Sequence, residues 1–392
     1  MKRNKKPLYK SSTDNCNSCI LHVESPFNLK TFEHIGGGKR QSNFEALRLL
    51  SMLMVLNLHS FWGFNIGTGL WQAFDIFRES TSICAVDCFI LISGYFGIKW
   101  RIQGFFNLVF QLFFYSIGIY LFVVCVGIVE WNVKEFLWRF ACLITHSWGF
   151  VLAYVLLYFC SPVLNVFSDN STLRSLLVYI IILFFVINFI CLPRQDIFVY
   201  SLVYLIGRLL RRIDHNKLRI PFLKAYWITT ICMFCLVYFL LFKTLHITNS
   251  STIGGWPVGV LGYNYASPLC ILQAVFLFLF FSKLHFNSNI INWCAKSCFA
   301  IFLIHMHPTI KHIGYYAFTR DLYIYPVYQH ILLLVVLICF VYVGSILVDQ
   351  IRILVSRIVF NQCKKIFKMI SANHFVVDDC ISIVYSRIMK RA

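Results

Sequence analysis

Residues 45–60 read EALRLLSMLMVLNLHS: an arginine, ten residues that are mostly apolar, then a histidine. A cation and a titratable imidazole in such a stretch need headgroups or protein partners, because a charge at the bilayer centre costs roughly 2.5–3.5 kcal/mol on insertion scales. The run is one of many. Of the 392 residues, 59% are hydrophobic and 13% charged, which excludes an ordinary soluble domain. Apolar stretches of about 17–25 residues, enough to cross ~30 Å of hydrocarbon at ~1.5 Å per residue, recur along nearly the whole chain. The sequence therefore predicts an all-α, polytopic integral membrane protein.

About ten spans are expected, over 44–64, 80–98, 104–129, 147–167, 173–192, 196–210, 225–245, 266–284, 297–317 and 329–350. The sixth is short, the ninth is interrupted by HMHPTIKH (305–312), and 131–146 is polar enough at its start to lie in the interface. The net charge of +19 follows the same plan, since 27 of the 35 Lys and Arg fall in segments on the side of the N-terminus. The positive-inside rule then sets both termini in the cytoplasm, and nucleic acid is not an expected partner. Residues 1–43 read as a disordered cytoplasmic tail, 44–350 as the transmembrane domain, and 351–392 as a basic tail with the Ile, Phe and Val of an amphipathic helix on the inner leaflet. Most of the sixteen cysteines sit in or beside apolar spans as small hydrophobes. Cys16 and Cys19 have CxxC spacing, but no second pair or histidine stands nearby at zinc-site spacing, so no metal is expected.

The informative residues are the polar ones left inside spans. Asp87, in SICAVDCFILISGYF (82–96), is the one acidic residue of sixteen well inside a span, and it needs a partner or a proton. Arg48 and His59 are eleven residues apart, about 16.5 Å of rise and within roughly 20° of one helix face. The first two spans are joined by an expected loop of about fifteen residues and run antiparallel, which sets Asp87 at the depth of His59 and gathers Arg48, Lys99 and Arg101 near the inner surface. A cationic mouth below an imidazole suits a large anionic donor entering from the cytoplasm. Arginine can hold its phosphates, and His59, oriented by Asp87, can take the proton of a hydroxyl nucleophile. Each residue alone also has a plain reading. Arg48 can snorkel to headgroups, His59 can bond a carbonyl, Lys99 and Arg101 can be topology charges, and Asp87 can make a structural hydrogen bond. The joint placement is what points to a site.

The chain resembles the acyltransferase-3 membrane proteins. The resemblance rests on Arg48-x10-His59, Val86-Asp87-Cys88-Phe89 leading to Ser93-Gly94-Tyr95, Lys99-x-Arg101, Trp148 with Leu157-Tyr158, Pro162-Val163-Leu164-Asn165, Tyr204-Leu205-Ile206-Gly207-Arg208 and Phe302-Leu303-Ile304-His305, in the family's order over about 45–350. It implies a ten-helix O-acyltransferase of the shorter form, without an appended hydrolase-like domain, in a bacterial cytoplasmic membrane. It also implies acetyl-CoA as donor, without a metal, and a sugar hydroxyl of an envelope, capsular or exported glycan, or a lipid-linked sugar, as acceptor. Carried over by position, Arg48 and His59 are the essential pair, Lys99 and Arg101 meet the coenzyme phosphates, and Asp87 supports His59. Lysine at 99 replaces an arginine, losing bidentate geometry. The glutamate common before the fourth-span aromatic pair falls here at Ala153 or Tyr154, so no carboxylate is available there. His305 reads either as a residue satisfying a proline kink or, with Tyr154, as part of the acceptor site. His59 can be a general base or carry the acyl group itself. The competing class is a carrier or flippase for lipid-linked glycans, but no internal repeat is evident and the polar groups concentrate in the first two spans. A scaffold or receptor would leave every buried ionisable group structural.

Overall fold

The computed structural model describes residues 40–60, 69–142, 148–190, 196–248 and 263–373. The expected N-terminal tail up to residue 39, the Cys16/Cys19 pair and the last residues of the basic tail, 374–392, lie outside the described residues. Among the described residues the regular structure is all helical, with fourteen α-helices and no strand. In chain order they are α1 Ser42–Leu58, α2 Leu70–Ser82, α3 Ala85–Phe96, α4 Ile102–Cys125, α5 Val133–Phe140, α6 Gly149–Asn170, α7 Leu173–Phe185, α8 Asp196–Arg211, α9 Phe222–Thr248, α10 Pro268–Ser282, α11 Asn289–Cys294, α12 Cys298–His305, α13 Tyr315–Asp321 and α14 Val327–Asn373.

Among the described residues, four stretches are long and apolar enough to cross a membrane: Gly104–Cys125, Gly149–Asn170, Phe222–Leu240 and Val327–Gln362. Leu173–Phe189 and Pro268–Ser282 are shorter apolar helices. The expected spans 80–98 and 297–317 are each divided between two helices. The loop expected between the first two spans contains α2, whose Asp75, Arg78 and Ser82 are buried. The ninth expected span is not one kinked helix, because α12 stops at His305, just before Pro308, and helix resumes only at Tyr315. Proline cannot continue the hydrogen-bond ladder, so the break is built in. Such breaks inside a membrane are tolerated where the irregular backbone is buried in protein or lines a cavity. The interfacial segment expected over 131–146 contains α5, capped by Asn132, which accepts a hydrogen bond from the Glu135 amide. The last span and the start of the basic tail form one continuous helix, α14.

The first helix is the hub, packed against α2, α3, α10, α11, α12 and α14. Its direction relative to its neighbours is set by contacts at both ends. Phe44 packs on Tyr95 and Phe96 at the end of α3, so α1 and α3 run antiparallel. The Ser42 hydroxyl donates to Asn287 and Asn292 ahead of α12, while His59 meets His305 at its far end, so α1 and α12 run side by side in the same direction. Helices α3 and α8 approach backbone to backbone. A Cβ on Gly207 would lie 2.5 Å from the Leu91 carbonyl oxygen, and one on Gly94 would collide with the Tyr204 carbonyl. Small residues at that crossing let the two backbones touch.

Candidate active site

At the far end of α1, His59 takes the first non-helical position, its amide donating to the Val55 carbonyl at 3.1 Å. Its Nδ1 lies 2.8 Å from His305 Nε2, and His305 Nδ1 lies 2.6 Å from the Ile301 carbonyl oxygen one turn back in α12. A carbonyl only accepts, so His305 carries its hydrogen on Nδ1 and, as a neutral ring, accepts at Nε2. His59 must then donate from Nδ1, which leaves its Nε2 with the lone pair. A backbone carbonyl thus sets the tautomer of a buried histidine, and that histidine sets the tautomer of His59. This is the orienting function expected of Asp87, performed by another imidazole.

Arg48, His59 and Tyr154 line one cavity of about 640 Å³, within the roughly 300–1,000 Å³ of small-molecule sites. Val86, Phe89 and Ser93 form one wall along a single face of α3. Tyr154 stacks on Phe150 and its hydroxyl lies 3.5 Å from Ser93 Oγ. Two cations that sequence reasoning passed over also line the cavity, Lys296 and Lys311. Lys296 reads in sequence as a loop charge, and Lys311 as part of a broken span. Trp148 lines it too, buried, its indole N–H unpaired among the described residues. Arg48 is held by Glu45 one turn earlier, at 3.0 and 3.3 Å from the two carboxylate oxygens.

Asp87 does not join this site. It is fully buried and accepts from the Cys270 thiol of α10 at 3.2 Å, while its neighbour Val86 faces the cavity. Asp87 does stand at the same end of the α1/α3 pair as His59, as the antiparallel arrangement requires, but one residue of rotation, about 100°, turns it to the other side of α3. Lys99 and Arg101 are exposed on the turn after α3, at the Arg48 end of α1 but outside the cavity lining.

That turn explains several of the recurring sequence motifs. The Ile98 amide donates to the Tyr204 hydroxyl, Tyr204 donates to Asn165 Oδ1, and Asn165 Nδ2 donates to the Ile98 carbonyl, at 2.9, 2.7 and 2.9 Å. The Tyr158 hydroxyl accepts from the Arg101 amide and donates to the Arg101 carbonyl. Gly97, at φ +73°, starts the turn in a conformation that favours glycine. Arg208 pairs with Asp169 and donates to Ser168 Oγ, its guanidinium lying against Gly97.

A second cluster clamps the backbone around His59. Arg78 of α2, buried, donates to the Asn57 amide oxygen at 3.3 Å, to the Ser60 carbonyl at 2.9 Å and to the Ser60 hydroxyl. Its charge is met by the fully buried Asp75 at 2.9 Å, which also accepts from Tyr323. Residues on both sides of His59 are therefore held by one guanidinium whose planar fork suits several acceptors at once.

The arrangement is a cavity with a cation at one end, an oriented base at the other and apolar walls between, which suits group transfer from an anionic donor. Residues 41–349 match the model of the acyltransferase-3 family, described as an acyltransferase domain. No curated protein and no solved structure matches the chain. With most of its length matched, and with helices apolar enough to cross a bilayer, the chain belongs to the acyltransferase-3 family and is a membrane acyltransferase.

Proposed function

We propose that the protein transfers acetyl from acetyl-CoA to a sugar hydroxyl of an envelope, capsular or exported polysaccharide, in the cytoplasmic membrane of a bacterium. It crosses that membrane ten times with both ends inside. The observation that carries this reading is the single cavity shared by Arg48 and His59, whose eleven-residue interval is about 16.5 Å of helix. Phosphates of the donor sit at Arg48 and Lys296, with Lys99 and Arg101 taking those that protrude from the mouth, and the thioester reaches His59. The acceptor hydroxyl packs by Tyr154. His59 Nε2 takes the hydroxyl proton as the oxygen attacks the thioester carbon, the carbon–sulfur bond breaks, and the same nitrogen returns the proton to the departing sulfur. His305 keeps the ring in the tautomer that leaves Nε2 free.

Reconstituted protein in proteoliposomes, given labelled acetyl-CoA and glycan, is expected to label the glycan, and His59→Ala is expected to abolish labelling. Full transfer by His59→Ala, or label-independent glycan movement across the bilayer by a protein that transfers nothing, would overturn the reading, the latter in favour of a carrier.

A further inference from the structure

The cavity is charged more heavily than a donor with phosphates at one end requires. Among the described residues its lining contains Arg48, Lys296 and Lys311 and no carboxylate. The cations are split between its ends. Lys296 precedes α12, where Ser42 at the start of α1 bonds Asn287 and Asn292, so it shares the Arg48 end. Lys311 follows α12, in the turn whose amide bonds the His307 carbonyl at 2.9 Å and whose carbonyl accepts from Tyr316. The Tyr316 ring lies 6.5 Å from that of His59, so Lys311 is at the reactive end. Arg48 has Glu45 as a partner, whereas the Lys311 ammonium has none among the described residues.

We infer that the acceptor is itself anionic, with a carboxylate or phosphate group seated on Lys311 while its hydroxyl meets His59; the inference rests on the acyltransferase reading above. The donor's phosphates are taken by the cations at the opposite end, so Lys311 is left for the second substrate. Unneutralised, an ammonium at this end repels the positive charge His59 acquires each time it takes a proton, and that repulsion is strong where water is scarce. An anionic acceptor removes the repulsion as it binds, and a neutral one does not. The transfer step stays as written above, the acidic group making no bond and losing none.

The test compares three oligosaccharide acceptors sharing one backbone: neutral, uronic-acid-bearing and phosphate-bearing. Wild type is expected to use at least one charged acceptor about ten-fold better in kcat/KM than the neutral one, the size of one charge-assisted hydrogen bond, and the preferred arm names the source of the charge. Lys311→Gln is expected to bring that ratio to about one, Lys311→Arg to keep it and Lys311→Glu to invert it. Equal use of all three by wild type overturns the inference while leaving the acyltransferase reading intact. So does a loss in Lys311→Gln shared equally by charged and neutral acceptors, which would mean that Lys311 acts on the reacting carbonyl. Absence of transfer to every acceptor by wild type sinks both.

Discussion

Replacing His305 tests the tautomer relay most directly. His305→Phe keeps an aromatic ring, somewhat larger, in a position that is 3% exposed, but removes the Nε2 acceptor lying 2.8 Å from His59 Nδ1 and the Nδ1–H on the Ile301 carbonyl. The Nδ1–H of His59 then loses its partner, which costs about 1–3 kcal/mol for a buried donor. The ring can recover that by rotating or by moving its hydrogen to Nε2, and either change withdraws the lone pair from the cavity. At about 1.4 kcal/mol per factor of ten, the expected fall in kcat is about 5- to 150-fold. The KM for acetyl-CoA should change by less than about three-fold, because the place proposed for the donor's charged end, at Arg48 and Lys296, is left untouched. His305→Gln, whose side-chain oxygen can accept from His59, should restore part of the loss. The assay is initial-rate acetyl transfer in proteoliposomes at saturating acceptor, with folding checked by size-exclusion chromatography. A kcat within about two-fold of wild type for folded His305→Phe, or a loss confined to KM, would refute the relay.

Three further outcomes follow from the packing. Arg78→Gln leaves the fully buried Asp75 without its cation, so it should destabilise by about 3–5 kcal/mol, and adding Asp75→Asn should recover a good part of that, read as thermal unfolding in detergent. Gly207→Val places a branched side chain where even a Cβ would be 2.5 Å from the Leu91 carbonyl; the α3/α8 crossing should open at a cost of about 1–3 kcal/mol or more, seen as a loss of monodisperse protein. Asp87→Asn should keep kcat within about three-fold, because Asp87 is bonded to Cys270 rather than to His59. A drop as deep as that of His59→Ala would show that the carboxylate acts in the reaction after all.

Much of the site was legible because α1 is regular. The eleven residues between Arg48 and His59 return to nearly one face by helix geometry alone, and both line the cavity. The neighbouring motifs were legible as a pattern but not in meaning. Tyr158, Asn165, Tyr204 and Gly207 prove to hold the turn that carries Lys99 and Arg101 and to let α3 and α8 touch. Arg78 was missed because the polar stretch WQAFDIFREST (71–81) reads as a loop by charge, whereas its Asp75 and Arg78, one turn apart, neutralise each other inside the protein.

By itself the sequence determined the class and the axis of the site. Composition demands helices that bury their backbone hydrogen bonds, and spacing along one helix is a local quantity. Which side chains from different helices meet is not local. By sequence Asp87 is the candidate to orient His59 and His305 a kink or acceptor-site residue; which of them meets His59 depended on how α3 and α12 are rotated about their own axes. Packing turned Asp87 toward Cys270 and brought His305 to His59. The same holds for Lys296 and Lys311, which flank α12 in sequence and become opposite ends of one cavity only because α12 lies alongside α1.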